Sequence, residues 1–186
     1  MGPYFLNTIT LSIVIYLVPL CSQAADLRTF HNKKYGFTVR YPSSWNLQSL
    51  SEHFYIENFP GSKFVKGVRL PPGGAGISVS VPSEFVHQPN QSMPLTMEEW
   101  VSLGTARRKV NQKRDFSVSN GKRTLPVIEV VTQCCAVPPF QESIDWYFKV
   151  DDQMFTASLE YWQGDANANE LRKTLQDVVV SIRLAR

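Results

Sequence analysis

Along Tyr35-Gly36-Phe37-Thr38-Val39-Arg40-Tyr41-Pro42 the apolar side chains fall at alternate positions. Phe37, Val39 and Tyr41 therefore share one face of a predicted strand, and Thr38 and Arg40 share the other. Pro42 has no N–H to give and stops the ladder; Ser43-Ser44 then turn the chain so that Trp45 folds back onto the core. Phe54 to Phe59 is a second strand candidate. Pro71-Pro72-Gly73-Gly74 is a turn that opens a third, Gly76-Ile77-Ser78-Val79-Ser80-Val81, with Ile77, Val79 and Val81 inward. The period then changes. Thr96 followed three residues later by Glu99 is a capping box. Met97, Trp100, Val101 and Leu103 give the helix behind it an apolar side, weakened by Gly104, and its end is expected near Val110.

Phe116-Ser117-Val118-Ser119 and the run from Lys122 to Gln133 flank Asn120-Gly121, a two-residue hairpin signal. Ser143 to Val150 and Gln153 to Trp162 make a second hairpin across Asp151-Asp152. A last helix follows, with Asn167 as its cap, Glu170 completing a box, and Leu171, Leu175, Val178, Val179 and Ile182 on one face. Consecutive hairpins with helices before and after them imply an α+β class, an antiparallel β-sheet covered by helices.

The first 24 residues read differently. They hold no Asp, Glu, Lys or Arg, and an apolar run from Ile9 to Val18 leads into Pro19 and then Ser22-Gln23-Ala24. Small residues three and one before the bond match a signal-peptidase site between Ala24 and Ala25. The expectation is a signal peptide over 1–24 and a single α+β domain over 25–186, located outside the cytoplasm, periplasmic or secreted. The apolar run is too short for a comfortable membrane span, so no transmembrane segment is expected after cleavage. Two alternatives stay open: retention as an anchor, and lipid attachment at Cys21, although Val18-Pro19-Leu20 lack the small residues that such a site prefers.

Charge adds little. All 19 Lys and Arg residues lie beyond Ala24, against 16 Asp and Glu, and the net +3 is a weak cue for an anionic partner. Nucleic acid does not suit an exported chain. The Asn90-Gln91-Ser92 sequon matters only in a eukaryotic secretory route.

The residues that carry chemistry are few. Cys134 and Cys135 are adjacent, with Cα atoms about 3.8 Å apart across a trans peptide, so a bridge between them would be strained and easily reduced. They form the candidate redox pair, or two ligands for a soft metal; the plainer reading is two small residues finishing a strand. With no third Cys and no nearby His they close no zinc site. His31, His53 and His87 are dispersed. No nucleophile elbow, zinc-protease motif or P-loop occurs. Catalytic residues, a metal site and a cofactor are therefore not assigned. Gly73-Gly74-Ala75-Gly76 opens a strand and not a helix, so a flexible turn outweighs a phosphate cradle. Arg107, Arg108, Lys109, Lys113 and Arg114 are read mostly as cations at a helix C-terminus. Asp145, Asp151 and Asp152 are read as solvated turn residues. Trp45, Trp100, Trp146 and Trp162 are read as core, with Trp162 the exception to watch.

The segment Tyr35-Gly36-Phe37-Thr38-Val39-Arg40-Tyr41-Pro42-Ser43-Ser44-Trp45 resembles the opening motif of the PsbP-like (Mog1/PsbP) superfamily, in its exported bacterial type. The ending is similar too: a hairpin, Tyr161-Trp162, then a helix running into Ser181-Ile182-Arg183-Leu184. The resemblance implies an α-β-α sandwich and a non-enzymatic accessory role. The expected function is an exported, non-catalytic accessory or binding domain that engages a protein or envelope component. Two other classes remain: a redox-responsive or metal-binding protein using Cys134 and Cys135, and a hydrolase, which requires a deep polar pocket with a Ser or Cys beside His53 or His87.

Overall fold

The fold is described from a computed structural model of the chain and covers residues 26–48, 53–59, 70–84, 93, 96–134 and 140–185. Ala24, Ala25, the sequon, His87 and Cys135 lie outside the described residues, as does the side chain of Cys134. The strands are β1 (Leu27–Asn32), β2 (Phe37–Pro42), β3 (Asn46–Leu47), β4 (Phe54–Glu57), β5 (Ala75–Ser80), β6 (Val110–Ser119), β7 (Thr124–Cys134), β8 (Gln141–Val150), β9 (Gln153–Trp162) and β10 (Arg183–Leu184). The helices are α1 (Met97–Thr105) and α2 (Ala168–Ser181), and a single 3-10 turn spans Pro82–Glu84.

Seven strands form the main sheet in the order β3-β4-β5-β9-β8-β7-β6, with every neighbouring pair antiparallel. The two expected hairpins supply β6-β7 and β8-β9. The strand of the Tyr35–Trp45 motif is β2, and it does not join them. It makes a separate three-stranded sheet between β1 and the short C-terminal β10. The sequence reading overlooked β1, whose side chains are mostly exposed and carry little periodic signal.

Alternation decides which side of the main sheet is dry. Ile77, Val79, Ile144, Trp146, Phe148, Phe155, Ala157 and Leu159 point to one face, where they meet Phe37, Val39 and Tyr41 of β2 and Leu171, Leu175, Val178 and Val179 of α2. Rings lock the layers: Phe37 meets Phe155 edge-on at 5.4 Å, and Phe54 touches both Phe30 and Tyr41. On this face lies Glu129, wholly buried. Arg114 Nε donates to its Oε1 at 2.8 Å, while Trp146 Nε1 (2.8 Å) and Arg172 Nη1 (2.6 Å) donate to its Oε2. Burial pushes this carboxyl up, but the bonds from Trp146 and Arg114 and the charge of Arg172 overcome it, leaving the pKa below the ordinary value.

The opposite face holds a smaller cluster, Trp100 and Val101 of α1 on Val130 and Tyr147. The described fold is thus α+β, a mostly antiparallel β-structure with two helices, and α1 covers only part of its face. That helix ends at Thr105 and not near Val110, because β6 begins at Val110. Lys113 and Arg114 therefore sit on a strand, which removes them from the helix end the sequence assigned to them. The Thr96–Glu99 capping box forms in both directions, each bond 3.1 Å. The box expected for α2 does not: Asn167 makes no side-chain cap, and its N–H donates instead to Asp165 Oδ1 at 2.7 Å.

Candidate functional site

The polar alternates of the central strands floor a cavity of about 560 Å³ under α1. Register fixes their order. Tyr55 of β4 stands opposite Ser78 of β5, Ser78 opposite Ser158 of β9, and Ser158 opposite Asp145 of β8. In the next row on one side Ser80 meets Thr156, and Thr156 meets Tyr147; on the other side Gly76 meets Glu160. The roof is Trp100, Leu103 and Gly104 of α1.

Two glycines make room for two tyrosines. A Cβ at Gly104 would collide with the Tyr147 hydroxyl, and one at Gly76 with the Tyr55 hydroxyl. The glycine that costs α1 helix propensity, about 1 kcal/mol, therefore lets the helix approach the sheet. Trp100 lies edge-on to Tyr147 with ring centroids 6.0 Å apart.

Ionisable groups gather at the cavity's ends. Arg108, just past α1, pairs with the buried Asp145 at 2.5 Å, and Ser143 donates to the other carboxylate oxygen at 3.3 Å. Asp145 is thus a buried strand residue, against the solvated turn position expected for it; Asp151 and Asp152 are exposed as expected. Next to it Glu160 is pushed above the usual carboxylate range by burial, then by the charge of Asp145, with Arg108 opposing. At the far end His53 Nδ1 meets Glu84 Oε2 at 2.6 Å. Burial raises Glu84 as well, against the hydrogen bond and charge of His53. Burial also raises Tyr55, helped by Glu160 and Glu57, and Tyr147, helped by Asp145.

Two oxygens here are left over. Glu84 Oε1 and Thr156 Oγ1, on two residues that line the cavity, are buried and have no hydrogen-bond partner among the described residues. A buried polar atom without a partner costs about 1–3 kcal/mol, so an arrangement that keeps two of them in one cavity needs an explanation.

Sequence reasoning found the inward side of these strands and passed over this side. Ser78, Ser80, Thr156, Ser158 and Glu160 are the polar halves of two alternating runs, which read as solvent-facing. Only the pairing of β5 with β9 makes them one surface. His53 enters this site, but His31 lies on β1 in the other sheet. The imidazole of His53 bonds to Glu84 and to no hydroxyl among the described residues. Among the described residues no three His, Cys, Asp or Glu side chains converge as metal ligands, and no helix is long and apolar enough to cross a membrane. Trp45 and Trp146 are core; Trp100 is buried yet borders the cavity; Trp162 is half-buried and donates Nε1 to the Pro71 carbonyl at 2.7 Å.

No family profile matches the chain, and no curated protein matches it. Solved structures do. A Bacteroides thetaiotaomicron protein aligns over 85% of this chain at 12% identity with a TM-score of 0.47, and the chain spans about half, 48%, of its length. The cyanobacterial PsbP (CyanoP) of Synechocystis aligns over 88% of this chain and 95% of its own, at 11% identity and a TM-score of 0.41. The Ran-binding protein Mog1p of Saccharomyces cerevisiae aligns over 87% and 97%, at 11% identity and a TM-score of 0.44. At these identities and TM-scores the likeness carries no argument about function, and any function proposed for this chain rests on its own cavity.

Proposed function

We propose that this chain is an exported, non-catalytic accessory domain that engages a protein or envelope component outside the cytoplasm, and that it does so by holding a polar group in the cavity under α1. The observation that carries this reading is the pair of buried, unpartnered oxygens, Glu84 Oε1 and Thr156 Oγ1, in one concave site of about 560 Å³. That volume lies in the range of small-ligand sites, and the lining has their composition, aromatic walls with a few convergent polar groups. The uncharged stretch before Ala25 supports export.

The test fills the cavity from below. Ser78→Phe places a ring on the central row of the floor, while Lys149→Gln changes an exposed residue of β8. Chain purified after expression of the full sequence is used to capture components of envelope extracts. Wild type and Lys149→Gln should enrich the same component, and Ser78→Phe should lose it by at least ~10-fold, about 1.4 kcal/mol, while keeping a cooperative thermal transition. Equal capture by Ser78→Phe sinks the reading.

A further inference from the structure

The unmet groups of the cavity have one chemical character. Glu84 Oε1 is an acceptor with no donor among the described residues, held on a side chain only 3% exposed. Glu160 lines the same space and forms none of the ion pairs among the described residues. The charged neighbours of Glu84 are His53 of the β4 side and Lys34 of the β1–β2 turn; those of Glu160 are Asp145 and Arg108. Arg108 is already taken by Asp145 at 2.5 Å, which shows within the molecule that this site accepts a cation against a carboxylate. Burial raises both carboxyls in spite of His53 and Lys34 beside Glu84 and Arg108 beside Glu160, so at each acid the positive charge at hand is outweighed by the loss of solvent.

The two acids stand at opposite ends of the floor. Glu160 is in register with Gly76; Ser80, next to the Glu84 turn, lies four residues along β5, roughly 13 Å away at ~3.3 Å per residue. Ser78 and Ser158 lie between, and Tyr55, Tyr147 and Trp100 wall the passage. Aromatic faces attract cations and also cover methylene groups. A ligand that satisfies all of these at once has a positive hydrogen-bond donor at each end and methylene segments between them, and a further ammonium along the chain would face the Ser78 and Ser158 hydroxyls.

We propose that the cavity binds a linear aliphatic polyamine chain, one ammonium group donating to Glu84 near Thr156, the other to Glu160, with its methylenes against Trp100 and Tyr147. The assignment rests on the cavity being the binding site. The same chemistry is offered by a free polyamine and by an amine chain tethered to an envelope component.

Calorimetric titration of the purified chain with spermidine, with 1,3-diaminopropane and with a neutral polyol, sorbitol, tests it. Spermidine should bind, more weakly as salt rises. 1,3-Diaminopropane, too short to span the floor, should bind at least ~10-fold more weakly, and sorbitol not measurably. Loss of one charge-assisted bond corresponds to ~10-fold or more in affinity, so Glu160→Gln and Glu84→Gln should each weaken spermidine by that factor, and Lys149→Gln should not. Glu160→Gln is nearly isosteric, and its thermal midpoint, measured alongside, reports whether it folds. Spermidine that also releases the captured envelope component identifies a tethered amine; spermidine that binds without releasing it identifies a free one. The proposal is overturned if wild type takes no spermidine, or if Glu160→Gln binds it as wild type does. Should Ser78→Phe abolish envelope capture while spermidine fails to bind, the cavity stands and only the amine falls. If Ser78→Phe captures normally, the cavity itself is the wrong place.

Discussion

Two buried carboxylates, one on each face of the main sheet, are treated in opposite ways. Glu129, under α2, takes a donor from β6, one from β8 and one from the helix, and its pKa is lowered. Glu84, on the α1 side, is met by a half-exposed histidine and by the Val81 backbone, keeps an oxygen without a partner among the described residues, and its pKa is raised. Burial alone pushes both upward; whether the donors and cations brought to each outweigh it decides the sign. The face with the saturated carboxylate is filled by aromatic and aliphatic side chains. The other leaves a cavity. A packed core and an open cavity are thus placed on different sides of one sheet.

The largest expected effect contrasts one leucine from each face. Leu175 of α2 is wholly buried against the core, whereas Leu103 of α1 is half-buried and borders the cavity. Leu175→Ala should cost about 3–5 kcal/mol, since a packed site relaxes little around a new void. Leu103→Ala should cost only about 1 kcal/mol, because its surroundings are already open to solvent. Urea unfolding of both variants checks this. Similar losses would mean that α1 is packed as tightly as α2, and the contrast would disappear.

This difference also explains how far the sequence could be read. Phe37, Val39 and Tyr41, the two hairpins and the 3.6-period face of α2 were legible because each pattern is local and each face is dry. The cavity was not. Its floor comes from β5 and β9, far apart in the chain and neighbours only through the sheet order, and its polar side chains look like ordinary surface in one dimension. Asp145 was misplaced for the same reason: nothing near it in sequence announces Arg108, which arrives from the end of α1. Gly104 was legible as a weak helix residue, but its reason, the Tyr147 hydroxyl, sits on another element.

The next effect in size tests the saturated carboxylate. Glu129→Gln removes the charge that Arg114 and Arg172 surround and should cost about 3 kcal/mol near neutral pH, as expected for breaking a buried ionic network. The pH dependence has a definite sign. A carboxyl whose folded pKa lies below its unfolded value adds stability that is present above the ordinary value of 4.5 and is lost as pH falls through the folded value. Glu84 and Glu160, raised by burial, act the other way: their contribution is greatest below the unfolded value and is lost as pH rises through the folded one. Glu129→Gln should therefore flatten the acid loss of stability, and Glu160→Gln should deepen it. Unfolding free energies measured from neutral pH down to about pH 3 distinguish the two slopes. If both variants move the acid limb in the same direction, the two faces do not differ electrostatically.

The smallest effect is the sharpest, because its sign and not its size is at stake. Ser181, at the end of α2, donates to the Val178 carbonyl at 2.7 Å and accepts from the Arg40 N–H at 2.8 Å, so Ser181→Ala breaks satisfied bonds and should lower stability by about 1 kcal/mol. Thr156 carries a hydroxyl of the same kind on the other face, buried and without a partner among the described residues. Thr156→Val keeps the side chain's shape and removes an oxygen that water no longer reaches, so it should raise stability by about 1 kcal/mol, ~2–4 °C in thermal midpoint for a chain of this size. The same change should weaken whatever the cavity holds, because the lost oxygen is one the ligand would bond. Gains in stability coupled to losses in binding are the mark of a polar group retained for function. A Thr156→Val chain less stable than wild type would show that the hydroxyl is already satisfied in the folded protein, and the cavity would lose one of the two atoms that point to a ligand.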